Sequence, residues 1–270
     1  MGGDASVEIL LIKEGVFMAL IFMDLDNTVL YQGKPAQGVK ETIDLLKKNN
    51  HIVVIATGRN PNLIYGIDQQ LGIENMVMAN GGIVIFDNKI IRENYIDNSV
   101  VKRMMEKADE EKFDLVVEYL DEYISYRKDT SASDDFSKNY NLSIARLDHT
   151  FYPKRYVFAM LVFKDEVVKK IASSFPELQF NKSSQYGYDV NPSGNLKADG
   201  IKAVIDYLSY PMEDVYAIGD NFNDITMIKS VKHGIAMGNA VKELKDVAEF
   251  VTTNVNDFGI YNAMKHYNLL

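Results

Sequence analysis

The stretch FMDLDNTVL (22–30) places Asp24 and Asp26 two positions apart, at the end of an apolar run that begins at Ala19. Such a run, ALIFMDL, reads as a short buried strand. A strand sends successive side chains to opposite faces, so residues two apart share one. Asp24 and Asp26 would then emerge together at a strand end, with Leu25 turned into the packing. Two other apolar runs end in polar groups. HIVVIATG (51–58) delivers Thr57 and Gly58, with Arg59 next, and DVYAIGD (214–220) delivers Asp220, with Asn223 and Asp224 following in GDNFND.

Helical patterns separate these strands. GVKETIDLLKKNN (38–50) sets Val39, Ile43, Leu45 and Leu46 at roughly helical spacing, and NLIYGIDQQLG (62–72) reads as a helix closed by Gly72. NMVMAN (75–80) is a third strand. This alternation implies right-handed crossovers and a parallel sheet. The pattern then changes. GGIVIFDNKIIREN (81–94) reads as a hairpin turning at Asp87–Asn88. Beyond it come a helix (99–112), strands at 114–120 and 123–128, a polar stretch KDTSASDDFSKNYN (128–141), a strand at 155–163, a helix at 165–175 and the segment LQFNKSSQYGYDVNP (178–192). Closely spaced, partly alternating strands indicate a separate α+β unit over residues 89–184. Strand–helix alternation resumes from ADGIKAVIDYL (198–208) to DFGIYNAMKHY (257–267). The expected fold is α/β: a doubly wound, mainly parallel Rossmann-like sheet core from residues 1–88 and 185–270, with an inserted α+β unit.

In an open α/β sheet, ligands bind beyond the carboxyl ends of the strands. That edge would gather Asp24, Asp26, Asp220 and Asp224 against Arg59 and Lys197, the lysine opening the helix before the last of these strands. Like charges about 4 Å apart cost roughly 4 kcal/mol per pair at an effective dielectric near 20. The excess of carboxylates calls for a cation, and hard oxygen donors without histidine or cysteine point to Mg²⁺. Thr57 and the Gly58 amide suit phosphate oxygens. Lys197 reads as a mobile positive charge beside them. A metal and phosphate donors beside a free carboxylate point to phosphoryl transfer.

The chain has 270 residues, 47% apolar and 25% charged, which fits a soluble globular protein of one large or two modest domains. A net charge of −9 disfavours nucleic acid and anionic membranes as partners, yet leaves room for a small anionic substrate. The absence of cysteine excludes disulfides, thiolate catalysis and zinc–thiolate sites. His51, His149, His233 and His266 lie far apart and read as structural or surface residues. The apolar stretch VFMALIF (16–22) is too short to span a bilayer. A cytoplasmic protein is expected, and residues 1–17, before Met18, are assigned no function.

The motifs DLDNT, ATGR, NLK and GDNFND occur in that order, and the tail GIAMGNAVKELKDVAEFVTTNVNDFGI (234–260) follows them. In these residues the chain resembles the haloacid dehalogenase superfamily, specifically its Cof-like phosphatases with a large α/β cap. The resemblance spans residues 19–270. It implies that Asp24 is a nucleophile and Asp26 a general acid/base whose backbone carbonyl also reaches the metal. It implies that Thr57 and Gly58 bind phosphate, that Arg59 faces substrate and that Lys197 is the third-motif lysine. Asp220 would be a metal ligand, Asn223 a phosphate contact and Asp224 a supporting acid. Asn27 stands where many members have glycine; asparagine tolerates left-handed backbone better than most residues.

The expected activity is that of a Mg²⁺-dependent phosphatase. It would hydrolyse small phosphorylated metabolites, sugar phosphates among them, through an aspartyl phosphate. A phosphomutase using the same phosphoaspartate, and a non-catalytic phosphoryl-sensing protein, are the competing readings. The inserted unit would act as a cap that sets specificity, hinged at NGG (80–82) and NPSGN (191–195), with Tyr and Arg residues of DEYISYRKD (121–129) facing substrate.

Overall fold

The structure is a computed structural model and describes residues 18–61, 64, 66–119, 122–140, 145–182, 187–194 and 197–270. The chain opens with β1 (Leu20–Met23), a small hairpin of β2 (Leu30–Tyr31) and β3 (Lys34–Pro35), α1 (Val39–Lys48), β4 (Ile52–Ala56), α2 (Ile67–Leu71), β5 (Asn75–Met78), β6 (Ile83–Phe86) and β7 (Lys89–Glu93). There follow α3 (Asn98–Glu111), β8 (Leu115–Tyr119), β9 (Tyr123–Arg127), α4 (Ala132–Tyr140), β10 (Ala145–Leu147), β11 (Val157–Phe163), α5 (Asp165–Ile171), β12 (Leu178–Lys182) and β13 (Gly187–Pro192). The last part is α6 (Lys197–Leu208), β14 (Val215–Gly219), α7 (Ile225–Lys229), β15 (His233–Ala236), α8 (Lys242–Lys245), β16 (Phe250–Val251) and α9 (Gly259–His266).

The strands form an eight-stranded sheet, β16-β15-β14-β1-β4-β5-β6-β7, and a six-stranded sheet, β10-β9-β8-β11-β13-β12. β1 lies mid-sheet, parallel to β14 and β4, and is fully buried. That position explains its unbroken apolar run: both of its faces are covered by helices. The sheet is parallel from β16 to β5, and β6 and β7 complete it antiparallel. The β6–β7 turn is the expected one, with Asp87 and Asn88 both at positive φ. Helix α1 buries Val39, Thr42, Ile43 and Leu46, while Leu45, expected on the apolar stripe, is 40% exposed.

The inserted unit is displaced from its expected bounds. β7, placed in it by sequence, is the edge strand of the large sheet, and β13, placed outside it, is a central strand of the small one. The crossings therefore lie near residues 94–96 and 193–197. The second falls in the NPSGN stretch, of which Asn195 lies outside the described residues, as does Leu196 of NLK. The NGG stretch lies within the large sheet, between β5 and β6: Asn80 is buried, and a Cβ at Gly200 of α6 would come within 2.9 Å of the Gly81 Cα.

Helix α4 occupies the polar stretch that gave no helical signal. Its start is fixed from afar. Asp114 accepts from the backbone amides of Asp129 and Thr130, at 2.6 and 2.9 Å, and the Thr130 hydroxyl accepts from the Ala132 amide. A helix fixed by a partner fifteen residues upstream leaves little local periodicity to read. His51 has the structural role expected of it. Its Nδ1 accepts from the Ala19 amide at 2.9 Å and its Nε2 donates to the Leu269 carbonyl at 3.0 Å, tying β1 to the C-terminus.

Each sheet has its own core. The small sheet packs one face on α3 and α5 through Met104, Met105, Val117, Met160 and Ile171. Its other face turns to the large unit, where Phe158 joins the large core.

Candidate active site

The carboxyl ends of β1, β4 and β14 converge, as parallel register requires. Met23 pairs with Ile55 and with Ile218, so the residues that follow each strand meet at one edge. Asp24, buried, continues the strand pattern by donating its amide to the Ile218 carbonyl at 2.9 Å. Asn27 then takes φ 57°, the left-handed turn its side chain tolerates.

Lys197 lies at the start of α6 with no exposed side-chain surface. It donates to Asp24 Oδ1 and, at 2.6 Å, to Asp224 Oδ1. The mobile positive charge expected beside the phosphate is an enclosed ammonium between two carboxylates. Burial opposes its charge, yet Asp224 and Asp24 outweigh that effect and raise its pKa. The other Asp224 oxygen accepts from the amides of Asp220 and Asn221 at 2.9 and 3.0 Å, so both oxygens are engaged. This seat requires glycine at 219, where a Cβ would come within 2.5 Å of the Asp224 carboxyl carbon.

Asp24, Asp220 and Asp224 can each present an oxygen within 4.8 Å of the others. Three carboxylates face one ammonium, and the surplus appears in the proton affinities of Asp24 and Asp220. Burial, then the Asp224 charge, pushes Asp24 up to about 7 despite Lys197. Burial, then Asp24, pushes Asp220 up to about 9. Thr28, unassigned by sequence, donates to Asp220 at 3.3 Å. Such a cluster holds a proton or a cation, and its donors are those of a hard divalent ion. Asp26, expected to reach the metal through its backbone carbonyl, keeps its side chain apart from this cluster. Arg59 Nε lies 2.9 Å from its Oδ2 and Nη2 lies 2.6 Å from its Oδ1.

Thr57 and Gly58 stand where expected, at the end of β4. The Thr57 hydroxyl accepts from the Arg59 amide at 3.0 Å. A Cβ at Gly58 would come to 3.2 Å from both Asn80 Oδ1 and Asp189 Oδ2. Asn223 reaches the same place, donating to Asn80 Oδ1 at 3.3 Å. All nine residues singled out by sequence thus lie along one edge. Of the tyrosines and arginines of DEYISYRKD, Tyr123 comes near it, bonded to Glu118 and to the Asn60 amide. Tyr126 and Arg127 bond Asp109 on the helix-covered side, and Asp121 lies outside the described residues.

Sequence reading missed Asn80, Glu118, Asp189 and Asn191. Asn80 was within reach, since it ends the strand NMVMAN at the same sheet edge. The others come from the small sheet, and nothing local to them points to β4. A cavity of about 220 Å³ runs between the units, lined by Asn80, Lys197, Phe222, Asn223 and Thr226 on one side and Phe180, Asn181 and Lys182 on the other.

Residues 21–264 match the family model described as haloacid dehalogenase-like hydrolase. The chain is 35% identical over 252 residues to YkrA of Bacillus subtilis (strain 168), across 93% of this chain and 98% of that one. It is 26% identical to the 5-amino-6-(5-phospho-D-ribitylamino)uracil phosphatase YcsE of the same organism, across 95% and 98%. Among solved structures, BT1666 from Bacteroides thetaiotaomicron, described among phosphatases of the haloalkanoate (HAD) enzyme superfamily, superposes with a TM-score of 0.87 at 25% identity, covering 96% of this chain and 98% of that one. With its motifs, its fold and a match of this extent in agreement, the chain belongs to the haloacid dehalogenase-like hydrolases and is a phosphatase of that family.

Proposed function

We propose that this phosphatase is a Mg²⁺-dependent, cytoplasmic phosphomonoesterase that hydrolyses small phosphorylated metabolites through a phosphoryl group carried on Asp24. One observation supports it above the rest: Asp24 sits in the buried cluster with Lys197, while Asp26 is held outside it by Arg59. Two carboxylates in such different surroundings take different roles.

Asp24 is the nucleophile. Lys197 favours its ionised form and holds it toward the phosphate, and Asp24 Oδ forms the bond to phosphorus as the ester oxygen leaves. Asp26 gives its proton to that oxygen. It then takes a proton from the water that attacks the phosphoryl group on Asp24, and phosphate departs. Thr57, the Gly58 amide and Asn223 hold the phosphate oxygens, and Asp224 orients Lys197. Asp24, Asp220 and the Asp26 carbonyl would hold Mg²⁺, which would neutralise phosphate charge and the carboxylate surplus. Residues 96–192 form the cap over this edge.

The test is release of inorganic phosphate from an aryl phosphate by metal-free protein, with and without added Mg²⁺. Phosphate release that depends on Mg²⁺ supports the reading. Return of the phosphoryl group to a sugar without free phosphate would make the protein a phosphomutase.

A further inference from the structure

The loop after β4, which carries Thr57, Gly58 and Arg59, is held from two directions. On its inner side the Arg59 carbonyl accepts from the Ala79 amide at 2.9 Å and the Thr57 carbonyl from the Asn80 amide at 3.2 Å, both just beyond β5. On its outer side the small unit holds Asn60. The Asn60 Nδ2 donates to the Tyr119 carbonyl at the end of β8, and the Asn60 amide donates to the Tyr123 hydroxyl on β9. Asn60 is fully buried, whereas Gly58, Arg59 and Pro61 beside it are partly exposed.

The anchor on the small unit is itself well fixed. The Tyr119 amide donates to the Glu122 carbonyl at 2.9 Å where β8 gives way to β9. The Arg155 guanidinium lies 3.8 Å from the centre of the Tyr119 ring, and its Nη1 lies 2.6 Å from Glu122 Oε1. Tyr123, buried, is bonded in turn to Glu118.

Two observations separate Asn60 from an ordinary packing residue. Its Oδ1 is buried and has no hydrogen-bond partner among the described residues. A buried acceptor left unpaired is costly, so stability alone does not favour a carboxamide here. Asn60 is also next in the chain to Arg59, whose guanidinium holds both oxygens of Asp26, at 2.9 and 2.6 Å. A trans peptide fixes consecutive Cα atoms about 3.8 Å apart, so a shift at Asn60 is passed to the Arg59 backbone.

We propose that Asn60 is a positioning residue for Asp26: the small unit, bonded to Asn60, fixes the loop from which Arg59 grips the acid. This deepens the phosphatase reading and rests on it. The effect of Asn60 passes through Arg59, and so falls on the step in which Asp26 gives its proton to the leaving oxygen. With the loop released, the guanidinium and the carboxylate lose their common orientation. Asp24 and Lys197 are held by other segments and keep theirs.

The experiment compares phenyl phosphate with 4-nitrophenyl phosphate, which are close in size and differ in how much the leaving oxygen needs a proton. Asn60→Ala removes the bond to Tyr119 and keeps the amide bonded to Tyr123. Its kcat/KM should fall about tenfold on phenyl phosphate and less than about threefold on 4-nitrophenyl phosphate. Tyr123→Phe removes the other bond and should show the same selective loss; it serves in place of the alanine variant if that one does not fold. Combined with Arg59→Lys, either substitution should cost less than it does alone, because both act on one grip. A merely structural role would lower both esters equally and multiply with Arg59→Lys. Equal losses, multiplicative losses or parent-like rates would overturn the assignment of Asn60 alone. Failure of the parent to release phosphate from either ester would overturn the phosphatase reading beneath it.

Discussion

Arg59 holds Asp26 at both carboxylate oxygens, through Nε at 2.9 Å and Nη2 at 2.6 Å. The two-point pairing fixes the carboxylate plane as well as its position. Asp24, two residues earlier, is held by Lys197 instead. One short stretch thus presents two carboxylates fastened to different cations from different parts of the chain.

The first prediction separates the roles of these two acids. Asp24→Asn should abolish both phosphoenzyme formation and turnover. Asp26→Asn should still release one equivalent of aryl alcohol from an activated aryl phosphate, because a good leaving group needs little acid assistance. The second step lacks its base and should stall. Intact-mass measurement after acid quench should find one phosphoryl group, mapped to Asp24. A label on another residue, or steady turnover at the parent rate, would overturn the assignment.

Arg59→Lys keeps a charge but loses the fork that grips both oxygens. Misplacing a catalytic group by about 1 Å costs about 10²-fold. An alkyl phosphate, which needs the proton from Asp26, should lose about that much in kcat. An aryl phosphate should lose less. Equal losses on the two esters would show that Arg59 acts on the phosphate and not through Asp26.

Lys197→Met should affect turnover and stability together. One electrostatic group of this kind contributes about 10²–10³-fold to rate. Because Lys197 is enclosed between Asp24 and Asp224, its loss also leaves two buried carboxylates without their cation, at a cost of about 3–5 kcal/mol. Urea unfolding of the metal-free variant measures that cost. Parent-like stability would mean that the carboxylates relax or take up protons without penalty.

The carboxylate surplus predicts a pH-dependent response to Mg²⁺. In metal-free protein Asp24 is pushed up to about 7 and Asp220 to about 9, from an ordinary value of 3.8. The folded state therefore keeps protons that the unfolded chain has already lost. Their contribution to stability is fully present below about pH 4 and is lost as pH rises through about 7 and then about 9. The melting temperature without metal should fall across that interval. Mg²⁺ replaces the protons, so it should stabilise more strongly at the upper end and release protons on binding near neutrality. Calorimetry in buffers of different ionisation enthalpy counts those protons. Binding without proton release at pH 7 would contradict the raised values.

Chain-local patterns were sufficient for the parallel strands of the large sheet and for their polar edge. The apolar run into Asp24 and Asp26, HIVVIATG before Thr57 and the run before Asp220 each state a buried strand and what lies at its end. Parallel pairing then brings those ends together, because a shared register leaves them little freedom. The Asp87–Asn88 turn was equally legible, since positive φ at two successive residues needs such side chains.

Tertiary structure decided what depends on contact between distant segments. It moved β7 into the large sheet and β13 into the small one, because an edge strand and a central strand differ in neighbours rather than in local pattern. It enclosed Lys197, whose helix start looks like any solvated one until Asp24 and Asp224 arrive from 173 and 27 residues away. It gave Asp26 to Arg59 and brought Asp189 to Asn80 across 109 residues. A strand ends where its own sequence says, whereas the partner of a charge is set by which segments the fold brings within reach.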